Sequence, residues 1–194
     1  AGEHWNAIAL YQQTLTDRVR VLGPEHPDTL VSYNNLADAY RSAGDLEKAL
    51  LLLEQTLTVT ERVLGPDHPQ TLTCRNNLAS VYQSASDLEQ ALPLYMETLT
   101  VRERVLGPDH PQTLASRNNL AGVHLETGDL EKALPLYVQS LTDHERVLGP
   151  EHPDTLASRI NLAVAYLSVG DVEKALPLYV QSLTDFERVF GSDH

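Results

Sequence analysis

Apolar residues recur along the chain at steps of three and four. Between Pro27 and Ala43 they fall on Leu30, Tyr33, Leu36, Ala37 and Tyr40, one face of a helix, here termed A. A second run, Ala49, Leu50, Leu53 and Leu57, carries another amphipathic helix, B, to about Leu64. The punctuation agrees with this division. Pro27, with Asp28 and Thr29 beside it, suits a first helical turn; Gly44 can take the left-handed conformation that ends helix A; Asp45 can cap helix B; and Gly65-Pro66 stops it. The predicted element is a helix pair joined by a short turn.

The same pattern returns every 42 residues. Gly-Pro-acid-His-Pro occupies Gly23–Pro27, Gly65–Pro69, Gly107–Pro111 and Gly149–Pro153, and Pro66–Gly107 matches Pro108–Gly149 at 28 of 42 positions. Units this alike must fold alike and stack. The expected organisation is one repeat domain over 1–194: a half repeat at 1–22 (a B helix only), repeats at 23–64, 65–106, 107–148 and 149–190, and the start of another at 191–194. The chain opens without Met and in mid-repeat, so it is expected to be a segment of a longer array.

The small residues Ala37, Ala79, Ala121 and Ala163, with Ala49, Ala91, Ala133 and Ala175, are expected where paired helices approach to about 8–10 Å. Pro93, Pro135 and Pro177 fall inside B helices and should bend them, whereas the first repeat has Leu51 there.

The spacing Tyr33-x2-Leu36-Ala37-x2-Tyr40 with Ala49-x3-Leu53, and its copies Arg75, Leu78, Ala79, Tyr82, Ala91, Tyr95 and Arg159, Leu162, Ala163, Tyr166, Ala175, Tyr179, resembles the tetratricopeptide repeat. The 42-residue period, the Leu-Gly-Pro-Asp-His-Pro connector and the Arg-Asn-Asn-Leu-Ala segment resemble more particularly the kinesin light chain type, which also occurs in multidomain bacterial proteins. The chain departs from the common pattern in having Arg or Tyr where Trp is usual, and in eight additional residues. The resemblance implies an all-α fold, an α-solenoid of antiparallel helix pairs wound into a right-handed superhelix, with a concave groove lined by the A helices.

Charge narrows the partners. At −13 the chain has no basic cluster with which to displace counterions from nucleic acid, and an anionic membrane surface is equally disfavoured. No apolar stretch approaches the roughly 20 residues that span a bilayer, and no leader pattern opens the chain. With Cys74 as the single cysteine, a cytoplasmic setting is expected. Chemistry finds little support. His26, His68, His110 and His152 recur once per repeat, too far apart to converge on one ion, and are expected to pack or cap in the connector. Cys74 stands where Ser32, Ser116 and Ser158 stand elsewhere, and no phosphate loop or carboxylate pair stands out. The reading is a non-enzyme that needs no metal or cofactor. Glu61-Arg62, Glu103-Arg104, Glu145-Arg146 and Glu187-Arg188 are expected to form ion pairs between repeats, with Arg75, Arg117 and Arg159 as candidates. Phe190 is expected in the core, and Phe186 on the surface as a contact for a partner or a second copy.

Binding is expected on the A helices, at the positions that vary while the core does not. These are Val31, Asn34, Asp38 and Arg41, then Thr73, Asn76, Ser80 and Gln83, then Ala115, Asn118, Gly122 and Leu125, then Ala157, Ile160, Val164 and Leu167. They run from polar in the first repeat to apolar in the fourth, where the stripe is expected either to recognise apolar side chains of a partner or to pack against a following repeat or another chain. Beside them Asn35, Asn77, Asn119 and Asn161 form an unvarying row. By the resemblance such amides hold a ligand's main chain; the structural alternative is a bond to the neighbouring A helix. Arg41 is the only cation in this set, which argues against capture of a terminal carboxylate. The predicted function is a scaffold that binds a peptide or helix of another protein in the groove. The alternative is self-association through uncapped repeat ends, or a spacer in a larger signalling protein.

Overall fold

The structure is a computed structural model that describes the backbone of residues 2–190 and the side chains of residues 6–188; Phe190 and the start of another repeat at 191–194 lie outside the described residues, except for the Phe190 backbone. The described residues form nine helices and no strand: α1 (Gly2–Leu22), α2 (Pro27–Ser42), α3 (Leu46–Leu64), α4 (Pro69–Ser84), α5 (Leu88–Val105), α6 (Pro111–Glu126), α7 (Leu130–Leu148), α8 (Pro153–Ser168) and α9 (Val172–Phe190). Two compact bodies divide the chain, residues 1–101 and 102–194. In the first, α1 to α4 pack consecutively and α2 also touches α4; in the second, α6 to α9 pack consecutively and α6 touches α8. This is an all-α repeat solenoid.

Each A helix starts on histidine. The rings of His26, His68, His110 and His152 accept a hydrogen bond through Nδ1 from the backbone N–H two residues on, at 3.2 Å, with Pro in the first turn. An imidazole thus performs the capping that a shorter hydroxyl or carboxylate usually performs. The B helices begin on Asp: Asp45, Asp129 and Asp171 accept from the N–H of Lys48, Lys132 and Lys174, and Asp87 from that of Gln90. The turn between needs one left-handed residue, supplied by Gly44 (φ +82°), Gly128 and Gly170 (both +78°), but by Ser86 (φ +61°) in the second repeat. A Cβ is strained there. Ser86→Gly is therefore expected to stabilise the protein by about 1 kcal/mol, read as a rise in thermal midpoint. The helices α5, α7 and α9 run through Pro93, Pro135 and Pro177 without breaking.

The core follows the predicted face. In the first body Leu36, Ala37, Tyr40, Ala49, Leu53, Cys74, Leu78 and Val81 pack together with Ile8; in the second Ala121, Tyr137 and Leu141 pack under Leu162 and Ala165. Burial pushes the Cys74 thiol up to about 12, so it stays protonated and serves as a small apolar filler.

His124 stands where the other repeats carry Tyr40, Tyr82 and Tyr166, and it is buried. Desolvation pulls its pKa down, against the smaller upward pull of the Asp129 carboxylate 3.6 Å away. The folded chain therefore prefers the neutral ring. Its contribution to stability is complete above the ordinary histidine value of about 6.5 and is lost as pH falls below it, because the unfolded chain then binds the proton more readily. Chemical denaturation at pH 7 and pH 5 should show a smaller acid loss for His124→Tyr than for the parent.

Buried arginines tie successive helices together. Arg75, Arg117 and Arg159 are almost wholly covered, and each meets a glutamate on the preceding B helix: Glu61 at 2.6 Å, Glu103 at 2.9 Å and Glu145 at 2.9 Å. Each also meets an acid on the following B helix, Glu97 for Arg75 but Asp143 and Asp185 for the other two. In the first repeat every charge of this set is gone. Tyr33 replaces the arginine, Val19 the glutamate and Val59 the aspartate, and Gln55 stands where Glu97 does. Charged and apolar junctions have been exchanged as whole sets. An uncompensated buried charge is costly, which explains why they change together.

A second junction position shows the same matching. Arg18 donates to the Asp28 carbonyl (2.7 Å) and to Ser32 Oγ (2.8 Å), and Arg102 to the Gln112 carbonyl (3.1 Å) and Ser116 Oγ (2.6 Å). Burial lowers Arg102 to about 10. In the third repeat the matching residue is His144, packed near Ser158 through Ser140. Thr60, which bonds its own helix, faces Cys74, the one place where Ser is replaced.

Candidate functional site

The structure sorts the predicted groove residues into three environments. Asn35, Asp38, Val164 and Leu167 are exposed; Arg41, Asn76, Asn77, Ser80, Asn118, Asn119, Gly122, Leu125, Ile160 and Asn161 are half-buried; Asn34 is buried at 6% exposure. Asn34 is thus a correction to the predicted groove. Its Nδ2 donates to the Leu30 carbonyl and its Oδ1 accepts from Asn77 Nδ2, both at 3.4 Å. It lies between α2 and α4 because a step of 100° along an A helix separates the open face from the face turned to the next A helix. The same bond answers part of the question about the asparagine row, since at α4 the amide of Asn77 holds the neighbouring helix.

Within residues 1–101 the open face is polar. Arg41 donates to Asp38 at 2.7 Å, so its charge is already matched, and Ser80 adds a hydroxyl on α4. Asn35 and Asp38 line a cleft of about 260 Å³ with Ala7, Tyr11, Ala39 and Ser42. Within residues 102–194 the corresponding face is apolar. Val164 and Leu167 on α8 are 42% and 45% exposed, and Gly122 on α6 presents no side chain. Leu125 is half-buried against the Tyr137–Leu162 cluster.

Ile160 leaves this stripe. It lines a cleft of about 220 Å³ with Tyr179, Ser182, Leu183 and Phe186 of α9. Phe186 is exposed, as predicted. The stripe read from the sequence therefore divides between two surfaces, Val164 and Leu167 on one and Ile160 on the other. Position-by-position comparison singled out Phe186 but placed Ile160 in the groove rather than beside it.

Among the described residues no group of three or more His, Cys, Asp or Glu is placed to hold a metal ion, and no helix is long and apolar enough to cross a membrane.

The helix pairs, their period and the A-helix face are the features by which the chain can be compared with known proteins. The tetratricopeptide repeat signature matches residues 1–62, 52–103, 76–143 and 117–188. The chain belongs to the tetratricopeptide repeat family. Two crystal structures of a Podosopora anserina protein with nearly identical TPR-like repeats, described as a kinesin light chain, share 30% identity with it. One covers 96% of this chain and 88% of its own with a TM-score of 0.77. The other covers 98% and 90% with a TM-score of 0.75. BtubC from P. vanneervenii is alike in fold, at 24% identity over 100% of this chain and 76% of its own, with a TM-score of 0.79. So is a Rap protein complexed with Competence and Sporulation Factor, at 14% identity over 95% of this chain and 50% of its own, with a TM-score of 0.82. No curated protein sequence matches this tetratricopeptide repeat chain.

Proposed function

We propose that the chain is a non-catalytic protein-interaction scaffold whose A-helix face within residues 102–194 takes up apolar side chains of a peptide or helix from another protein. The observation that carries this reading is the exposure of Val164 and Leu167 on a helix whose own packing is already complete. Leu156, Leu162, Ala163 and Ala165 of α8 are all buried, so the fold does not require Val164 or Leu167 to be apolar. Gly122 on α6 presents no side chain, and Asn161 is half-buried on α8 itself. A ligand with two or three apolar anchors spaced along an extended strand or one helix face would suit this surface. The Rap structure is of a complex with Competence and Sporulation Factor, which supports recognition of a partner on this fold.

Val164→Asp and Leu167→Asp should each weaken binding of a ligand selected from a peptide library at least tenfold, or about 1.4 kcal/mol, while leaving the circular dichroism spectrum and thermal midpoint unchanged. Asn119→Ala should weaken it less. Selected peptides that bind equally well to both aspartate variants would place the site on another face.

A further inference from the structure

The connector, A helix and B helix of the first repeat surround an apolar pocket. Pro24, Leu30, Tyr33, Leu52 and Val59 line a cavity of about 180 Å³, with the exposed Gln55 beside them. The fourth repeat has a cleft at the same place, but a charged one: Arg159 stands there for Tyr33 and Asp185 for Val59, while Pro150, Leu178 and Gln181 match Pro24, Leu52 and Gln55. Neighbouring repeats do not cover this place. The first repeat is followed by another and still shows the pocket, and the fourth is preceded by a complete repeat and still shows the cleft. A longer array at either end leaves both open.

Exchanging the charged junction for an apolar one also changes what the polar groups around the pocket can do. In the fourth repeat the Gln181 amide donates to Asp185 at 3.0 Å, and Arg159 donates to Asp185 at 2.6 Å and to Glu145 at 2.9 Å, so these groups satisfy one another. In the first repeat Val59 and Val19 replace both acids. The Gln55 amide and the Tyr33 hydroxyl are left without a hydrogen-bond partner among the described residues. Glu25, the charged residue of the lining, is already paired with Arg62 at 2.6 Å.

These features define a ligand. An apolar cavity of about 150 Å³ is enough to take up benzene, so this pocket admits one ring. A charged ring would be desolvated against leucine and valine with no free counter-charge. The unengaged amide and hydroxyl favour a ring that brings its own hydrogen-bonding group. We propose that the pocket binds a single uncharged aromatic ring of the phenol or indole class, held by Leu30, Leu52 and Val59 and oriented by Gln55 and Tyr33. The ring is either a free molecule or the tyrosine or tryptophan side chain of a partner, and the test separates the two. The site is independent of the Val164–Leu167 face.

The full chain is titrated with p-cresol while the methyl NMR signals of Leu30, Leu52 and Val59 are followed. These should shift together and saturate with a Kd of about 1 mM or tighter. Toluene, which lacks the hydroxyl, and p-toluate, which carries a charge, should each bind at least tenfold more weakly. Gln55→Ala, at an exposed position, should weaken p-cresol binding at least threefold. Val19→Glu, Tyr33→Arg and Val59→Asp together install the set that the fourth repeat already folds with, and should abolish binding with the circular dichroism spectrum unchanged. Val164→Asp should leave binding as it was. A blocked Gly-Tyr-Gly peptide that binds more tightly than p-cresol assigns the ring to a partner's side chain; one that binds more weakly assigns it to a free molecule. No shift of the three residues' methyls, toluene or p-toluate binding as tightly as p-cresol, or binding that survives either Gln55→Ala undiminished or the triple exchange would overturn the proposal.

Discussion

Arg117→Ala is expected to lower the free energy of unfolding by about 3 kcal/mol, the low end for breaking a buried ion pair from one side. The guanidinium is 2% exposed and bridges Glu103 and Asp143, so its removal leaves two carboxylates facing each other with the charge between them gone. The loss is kept to the low end because Glu103 is 44% exposed and water can take over part of its solvation. The first repeat supplies the control. Arg117→Tyr combined with Glu103→Val and Asp143→Val installs the residues found at Tyr33, Val19 and Val59, and should recover most of the lost stability. Urea unfolding of the single and triple variants decides it. If the triple variant is no more stable than Arg117→Ala, the charged and apolar junctions are not equivalent solutions.

Ala121→Leu should cost a similar amount. Ala121 has no exposed surface and lies among Tyr137, Leu141 and Leu162, three large side chains on two other helices. Added methylenes typically cost about 1–3 kcal/mol in a packed core. The upper end applies here because relief would require α7 and α8 to retreat in different directions. Hydrogen exchange should accelerate through α6 to α8 and stay slow in α2 to α4, since a repeat array transmits instability mainly to its neighbours. Uniform acceleration over all the helices would show instead that the chain unfolds as one cooperative unit.

Much of this fold could be read from the sequence because packing repeats with the helical period. Ala37, Leu36 and Tyr40 and their copies declared both the helices and the side they bury. The caps were half legible: Asp45 was evident, whereas the histidine of each connector was expected either to pack or to cap, and ring geometry decides for the cap. The arginine junction was less visible. Glu97 and Asp143 lie one helical turn apart in register yet reach equivalent guanidiniums, so column-by-column comparison does not pair them. The candidate site was blurred for a related reason. Asn34 and Asn35 are adjacent in sequence, but an A helix meets the B helices on either side of it, a neighbouring A helix and solvent, and periodicity separates only inside from outside. Val164 and Leu167 are exposed, while Ile160 lies in a cleft with side chains of α9, a neighbour that periodicity along α8 does not reveal.

The matched junctions also limit how such a chain can be rearranged by recombination. Duplicating residues 107–148 in place creates a new seam in which Glu145 meets a copy of Arg117, a pairing the chain already uses. Deleting residues 23–64 instead sets Val19 beside Arg75 and leaves that arginine without its glutamate. Repeats of nearly identical sequence are therefore not interchangeable parts. Growth and loss of repeats should be tolerated where the residues on both sides of the seam belong to the same set, and should fail by misfolding where a charged half meets an apolar one.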